Sequence, residues 1–217
     1  LRRQRQMCIR DRPYILLKIP SIFLIFCKSM AQTESNMLPL KTKAPAFVLP
    51  NVVSGSQNNL DELIGSQGTL IVFMCNHCPY VIHLIDAFVQ FSKEIEYQGI
   101  KTVSISSNSI RTHPQDGPEA MKKFAAQHSF HFPYLYDASQ SVALDYDAAC
   151  TPDFYLFDKN AELFYRGRFD ASRPGNYLAL TGEDLRGATT ALLKNSEAPL
   201  KQYPSLGCNI KWHPENW

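Results

Sequence analysis

The sequence has little of what marks the unusual protein classes. Six cysteines in 217 residues are too few for a small scaffold that is held together by disulfides. Charge of one sign is also lacking, because the formal net charge is only +2 at pH 7, and there is no internal repeat or low-complexity tract. A hydrophobic content of 45% is enough to build a core. A fully disordered chain is therefore excluded.

A long hydrophobic run is absent as well. The apolar stretch at 14–27 contains Lys18 and Pro20, and it is shorter than the ~18–20 apolar residues that cross a bilayer as a helix. Basic residues precede it, as in a secretory signal, but no small-x-small cleavage site follows. We expect residues 1–29 to be a leader or a non-native segment, with Met30 as the true start and a cytoplasmic protein. The alternative is a genuine signal, which implies an exported or membrane-anchored protein.

The charge is distributed unevenly. Residues 1–29 hold seven Arg and Lys against one Asp, a net charge of +6, so the remaining residues sum to −4. A mildly acidic globule gives no reason to expect a nucleic acid as partner. We also expect no membrane partner if Met30 is the start.

Beyond residue 37 the pattern indicates an α/β domain. Residues 69–74 are a continuous apolar run, which is typical of a strand covered on both faces of a parallel sheet. Apolar residues at helical spacing predict a helix over 79–97, and 100–106 is a second strand, so that the three form a βαβ unit. Residues 154–157 and 162–169 have the spacing of a β-hairpin.

Cys75 and Cys78 form a Cys-x-x-Cys pair where the buried strand passes into the amphipathic helix. The N-terminus of a helix stabilises an anion, so the pKa of the first thiol is expected to fall below the free value of about 8.5. We predict that Cys75 is the exposed nucleophile and Cys78 the buried resolving thiol. His77, if cationic, favours the Cys75 thiolate and makes the disulfide more oxidising.

The same spacing can also be half of a zinc site. A structural zinc ion takes four nitrogen or sulfur ligands, usually from a second paired motif, and no second Cys-x-x-Cys is present. Zinc would have to draw on His77, Cys150 or Cys208. We therefore predict neither a metal nor a cofactor at the pair.

These features resemble the thioredoxin-like superfamily, and within it the peroxiredoxin-like branch (alkyl hydroperoxide reductase/thiol-specific antioxidant-like) that carries a Cys-x-x-Cys. The resemblance runs from about residue 37 to 212, in segments 38–40, 44–47, 73–80, 106–108, 114–118, 150–154, 167–170, 172–176 and 207–212. It implies a thioredoxin-like domain over 37–197, with a C-terminal tail at 198–217. The implied fold is a central mixed β-sheet flanked by helices, with an N-terminal β extension.

The resemblance also implies a role for Thr151 and Pro152. In that fold a Thr-Pro peptide bond is cis and lies beside the redox pair, where it orients backbone that can pair with a substrate strand. A cis X–Pro bond occurs in only ~5–6% of cases. Without the resemblance, Thr151 and Pro152 would indicate only a turn or the start of a strand.

The sequence departs from the family patterns at several positions. Peroxiredoxins proper place Pro seven and Thr or Ser three residues before the peroxidatic Cys; before Cys75 these positions hold Gly68 and Val72. Thioredoxin has a buried acid six residues before its first Cys, where Thr69 stands here, so the proton acceptor is unassigned.

We predict a thiol–disulfide oxidoreductase that acts through Cys75 and Cys78. The expected partners are a disulfide-containing protein or small molecule as substrate and a thiol as reductant. A thiol-dependent peroxidase and a non-catalytic metal- or protein-binding module are the alternatives.

Five further residues have simpler interpretations. Cys150 is expected to be a small buried hydrophobe, with a third redox or ligand thiol as the alternative. Cys208 is expected to be an inert thiol in the tail, and His83 a partly exposed helix residue. Arg166 and Arg168 alternate with aromatic residues on a strand, which predicts a solvated face.

Overall fold

The computed structural model describes residues 32–216, and the expected leader at 1–29 lies outside them. Strands and helices alternate along this part of the chain. In order they are β1 Gln32–Glu34, β2 Val48–Pro50, β3 Gln57–Asn59, α1 Leu60–Leu63, β4 Gly68–Phe73, α2 Pro79–Glu96, β5 Ile100–Ser106, α3 Pro118–Gln127, β6 Tyr134–Tyr136, α4 Ser141–Asp145, β7 Cys150–Thr151, β8 Asp153–Asp158, β9 Leu163–Gly167, α5 Glu183–Leu193 and β10 Leu206–Asn209.

The central sheet has five strands in the order β6-β5-β4-β8-β9. β4 pairs with β5, and β5 with β6, in parallel, whereas β8 runs antiparallel to both β4 and β9. Two shorter sheets accompany it: β2 pairs with β3, and β10 lies between β1 and β7. The predicted central mixed sheet with an N-terminal β extension is confirmed.

β4 is the centre of the sheet, and all six of its residues are buried. Because side chains alternate between the two faces of a strand, Leu70 and Val72 join one hydrophobic cluster, and Ile71 and Phe73 join the other. The first cluster contains the apolar face of α2. The continuous apolar run in the sequence is explained by this coverage on both faces.

Helix α2 follows the expected pattern, with Pro79 at its first turn, where a missing N–H costs nothing. Its Phe88 ring lies 5.5 Å from that of Phe154 in β8 and 5.7 Å from that of Phe132. These aromatic contacts attach the helix to the sheet. They hold the N-terminus of α2 at the carboxyl end of β4.

The predicted solvated face on β9 is wrong for Arg166, whose side chain is fully buried. Its Nη2 lies 3.3 Å from an Asp153 carboxylate oxygen and donates to the Tyr155 hydroxyl at 2.9 Å. The Gln202 side chain accepts a hydrogen bond from the Arg166 amide at 2.9 Å. The segment after α5 therefore contacts β9. This long-range contact cannot be predicted from the alternation of residues along the strand.

The short helix α4 has no side-chain cap. Helix α4 begins at Ser141, and its N-cap residue is Gln140, in the left-handed region with φ 65°. The Gln140 side chain bonds instead to the backbone of Ser107 and Lys211.

The expected C-terminal tail, 198–217, contains strand β10. Cys208 of β10 is in register with Thr151 of β7, and Gly207 packs against the Thr151 carbonyl group. Among the helices of residues 32–216, none is long and apolar enough to span a membrane.

The close approach at Gly207 predicts that Gly207→Ala destabilises the protein. A Cβ there would overlap the Thr151 carbonyl oxygen and lie 2.6 Å from the carbonyl carbon, and overpacking of this kind costs about 1–3 kcal/mol. Thermal unfolding should show a lowered Tm.

Gly187→Ala is the matched control for this substitution. It adds the same methyl group to helix α5, where nothing lies within 4 Å, and should stabilise the protein by about 0.5–1 kcal/mol. An unchanged Tm for Gly207→Ala would show that β10 does not pack tightly on β7.

Candidate functional site

The Cys-x-x-Cys pair lies in the short connection between β4 and α2. β4 ends at Phe73, Cys78 is the N-cap of α2, and Pro79 is the first helical residue. Cys75 therefore lies in the loop before the helix, and Cys78 lies at the positive end of the helix dipole. Both thiols are free and buried, with exposed fractions of 1% for Cys75 and 0% for Cys78.

Thr151 touches both sulfur atoms. Cys75 Sγ is 3.5 Å from the Thr151 hydroxyl, and Cys78 Sγ is 3.1 Å from the Thr151 carbonyl oxygen. The peptide bond between Thr151 and Pro152 is cis. The structure thus brings together the residues that the resemblance placed in one site.

A third sulfur belongs to the same cluster. Cys208 Sγ lies 3.0 Å from Cys78 Sγ, and its side chain is 2% exposed. From the sequence we expected Cys208 to be an inert thiol. The inclusion of Cys208 in the segment 207–212 was the only signal that pointed to the site, since its distance along the chain from Cys78 carries no information about proximity.

The predicted exposure and lowered pKa of Cys75 are wrong, because the residue is buried and its pKa is raised. The hydrogen bond to Cys78, burial and the charge of Asp116 all raise the pKa of Cys75 well above its usual value, and only the Thr151 hydroxyl opposes them. Burial alone would raise the pKa of Cys78, but hydrogen bonds from the side chains of Cys208, Cys75 and Thr151 and from the Val81 backbone outweigh it and lower that pKa. The reason is position, because the hydrogen-bond donors converge on the N-cap thiol.

Asp116 is a site residue that the sequence analysis did not single out. It ends a short 3₁₀ turn, its side chain is buried, and it accepts hydrogen bonds from the Asn76 amide at 3.0 Å and the Asn108 side chain at 2.9 Å. His77 Nδ1 lies 2.7 Å from Asp116 Oδ2. The His77 ring also stacks on that of His113, with centroids 5.2 Å apart.

Asn76 anchors the connection between the two cysteines. Its side-chain amide donates to the Gln115 carbonyl at 3.0 Å, and its side-chain oxygen accepts a hydrogen bond from the Tyr134 hydroxyl, also at 3.0 Å. Asn76 is therefore tied to the loop that carries Asp116 and to strand β6. These bonds fix Cys75 relative to the carboxylate.

Within residues 32–216, Cys75, His77 and Asp116 could offer donor atoms to a metal ion, since one such atom from each lies within 4.8 Å of the others. Their arrangement does not match a zinc site. Two ligands of one tetrahedral zinc ion stand about 3.3 Å apart, given Zn–N and Zn–O distances of about 2.0–2.2 Å, whereas His77 and Asp116 are in direct contact at 2.7 Å. A structural zinc would also need a fourth ligand.

A cleft opens beside Pro152. It is lined by apolar side chains, including Phe154 and Phe169, together with the polar side chains of Tyr80 and Arg173. At its wall, His83 Nε2 lies 2.6 Å from Ser172 Oγ. His83 is half-buried, in agreement with the expectation from the helix pattern.

Solved structures similar to this chain were found, whereas no curated protein sequence matches it. An uncharacterized conserved protein from Geobacillus kaustophilus is 47% identical, with a TM-score of 0.84 over 85% of this chain and 98% of that one. A hypothetical protein from Sinorhizobium meliloti 1021 is 43% identical, with a TM-score of 0.82 over 84% of this chain and 99% of that one.

A more distant structure shows the fold. A putative thiol:disulfide interchange protein DsbE from Chlorobium tepidum is 21% identical, with a TM-score of 0.57 over 72% of this chain and 99% of that one. The predicted thioredoxin-like fold is confirmed. A family model adds that residues 40–166 match the AhpC/TSA family. Fold and family together support a thioredoxin-like redox role, and because the match spans more than half of the sequence, the chain belongs to the AhpC/TSA family.

Proposed function

We propose that the protein is a thiol–disulfide oxidoreductase in which Cys75 and Cys78 alternate between a dithiol and a disulfide. The observation that carries this proposal is the contact of both sulfurs with Thr151, at 3.5 and 3.1 Å. Two thiols held together in this way can exchange with an external disulfide.

Cys75 is the sulfur that meets the substrate. Its neighbours Asn76 and His77 are half-buried and reach the surface, so a small local movement of this connection exposes it. Cys78 is enclosed by Thr151 and by Cys208, at 3.1 and 3.0 Å. Cys78 can therefore react only with a sulfur that is already inside the site.

The reaction begins with a shared proton. The lowered pKa of Cys78 and the raised pKa of Cys75 place the proton on Cys75 in the resting site. When this proton moves along the hydrogen bond to Cys78, the Cys75 thiolate attacks the substrate disulfide. One substrate sulfur leaves with the electron pair and takes up that proton, which leaves a mixed disulfide on Cys75.

Cys78 then completes the transfer. As a thiolate it attacks the Cys75 sulfur of the mixed disulfide, forms the Cys75–Cys78 disulfide and expels the second substrate sulfur as a thiolate. Two electrons have passed to the substrate. Hydrogen bonds to Cys78 from the Cys208 thiol and the Thr151 side chain lower its pKa and favour the thiolate that this step needs.

The substrate proposed for the site is a protein or small molecule that contains a disulfide, and the reductant is a second thiol compound. The cleft beside Pro152 supports this proposal, since the half-buried Tyr80 and Leu206 offer apolar surface and Arg173 a positive charge. Such a lining suits a peptide segment next to the disulfide.

Insulin reduction in the presence of dithiothreitol tests the function. Cys75→Ser and Cys78→Ser should each reduce the rate to that of dithiothreitol alone, because each removes one of the two sulfurs that exchange. Cys150→Ser is the control: Cys150 is equally buried, but its sulfur faces the carbonyl oxygens of Pro152 and Ser205, so activity should persist.

Peroxide consumption is measured on the same samples. Turnover of peroxide without insulin reduction would contradict the proposal and favour a thiol-dependent peroxidase. Full insulin reduction by Cys75→Ser would show that the site lies elsewhere.

Asp116→Asn should lower the pKa of Cys75, since the negative charge that disfavours the thiolate is removed. We expect a shift on the order of one unit. The measurement is the pH dependence of iodoacetamide alkylation, with Cys75 resolved by peptide mass spectrometry; the midpoint should move to lower pH.

Asp86→Asn provides the comparison. Asp86 is an exposed acid on α2 that contacts His128, and it is not among the groups that shift the pKa of Cys75. The same midpoint for wild type and Asp116→Asn would mean that Asp116 does not set the charge state of Cys75.

A further inference from the structure

We infer that Cys208 is a third redox thiol of this site, and that the oxidised protein holds its disulfide between Cys78 and Cys208, with Cys75 as a free thiol. This inference rests on the proposed function, because the disulfide that Cys208 takes up is the one formed between Cys75 and Cys78. It gives the C-terminal segment a chemical role in the site.

The Cys208 sulfur lies close enough to the Cys78 sulfur to form a disulfide with it. Its sulfur is 3.0 Å from Cys78 Sγ, so forming a disulfide bond of about 2.05 Å needs an approach of only about 1 Å. Cys78 is the central sulfur of the cluster, because it contacts Cys208 at 3.0 Å and shares its neighbour Thr151 with Cys75. Either neighbour can therefore form a bond to it.

The backbone holds Cys208 in this position. Cys208 is paired with Thr151 across the ladder between β10 and β7, and the Thr151 carbonyl oxygen contacts Cys78 Sγ. Gly207 permits the close approach of the two strands. The two sulfurs are thus brought together by main-chain structure on both sides.

Cys150 shows that burial alone does not create this arrangement. It lies next to Thr151 on β7 and is fully buried, yet its sulfur is 3.8 Å from the Pro152 carbonyl oxygen and 4.0 Å from that of Ser205. Cys150 has the surroundings of a small buried hydrophobe, as expected. Cys208 differs because its sulfur faces another sulfur.

The exchange balances within the protein. The Cys208 sulfur, on losing its proton, attacks Cys78 Sγ of the Cys75–Cys78 disulfide. The bond between Cys78 and Cys208 forms, the bond between Cys75 and Cys78 breaks, and Cys75 leaves with the electron pair and takes up the proton. No electrons are gained or lost, because the oxidant was the substrate disulfide that oxidised the pair.

The new disulfide has two consequences. Cys78 and Cys208 are 0% and 2% exposed, so an external reductant reaches this disulfide only after Cys75 attacks Cys78 and restores the first pair. The bond also links β10 to the start of α2. Cross-linking residues so far apart in the sequence restricts the unfolded chain, and the oxidised protein should unfold at a higher temperature than the reduced one.

Disulfide mapping of the full-length protein tests the inference. The protein is equilibrated in a glutathione redox buffer, quenched with acid, alkylated with N-ethylmaleimide and digested with trypsin. We expect a peptide that joins Cys78 to Cys208, with alkylated Cys75. Recovery of a Cys75–Cys78 disulfide with fully alkylated Cys208 at every buffer ratio would overturn the inference.

Variants identify the path of the exchange. Cys208→Ser should accumulate the Cys75–Cys78 disulfide, and its oxidised form should lose the increase in Tm, whereas Cys150→Ser should behave as wild type. Cys75→Ser should not form the Cys78–Cys208 bond in the glutathione buffer, because the two buried thiols receive their disulfide only through Cys75. The wild-type map decides the question even if a variant does not fold, because it needs no substitution.

Insulin reduction by the same wild-type preparation separates the two proposals. Activity with only the Cys75–Cys78 disulfide would overturn the role of Cys208 and leave the proposed function intact. A Cys78–Cys208 disulfide in a protein that does not reduce insulin would refute the proposed function while supporting the pairing.

Discussion

The contact between the Cys78 sulfur and the Thr151 carbonyl oxygen, at 3.1 Å, is the interaction on which the site depends. It joins the N-terminus of α2 to β7, and β7 in turn positions β10. Thr151 also reaches Cys75 through its hydroxyl group, 3.5 Å from the sulfur. A single residue thus aligns two thiols and, through the strand ladder, brings a third next to them.

Polar groups around the thiols decide which of them is ionised. Convergent hydrogen bonds lower the pKa of Cys78, whereas the buried carboxylate of Asp116 helps to raise that of Cys75. In a buried site such effects are large because water does not screen them. The dipole of α2 acts on the residue that caps it, and this residue is Cys78.

Much of the fold could be predicted because its signals are local. The apolar run of β4 and the helical spacing in α2 each reflect the faces that an element buries, and both predicted elements are confirmed. Arg166 is an exception, because local alternation predicted an exposed side chain and the structure buries it. The alternation of residues along β9 predicts that the strand has two different faces. It cannot show that the segment around Gln202, which is distant in the sequence, covers the face that carries Arg166. The start of α4 is likewise set by distant groups, because the backbone of Ser107 and Lys211 holds the Gln140 side chain.

The sequence by itself determined the Cys-x-x-Cys pair, its position between a buried strand and an amphipathic helix, and the resemblance that pointed to Thr151 and Pro152. Periodicity and short motifs carry this information, because they depend on neighbours within a few residues. Only the tertiary structure decided that Asp116 and Cys208 join the pair and that Cys75 is buried. Chain segments far apart in sequence meet there, and the charge state of a buried thiol depends on the groups around it in space.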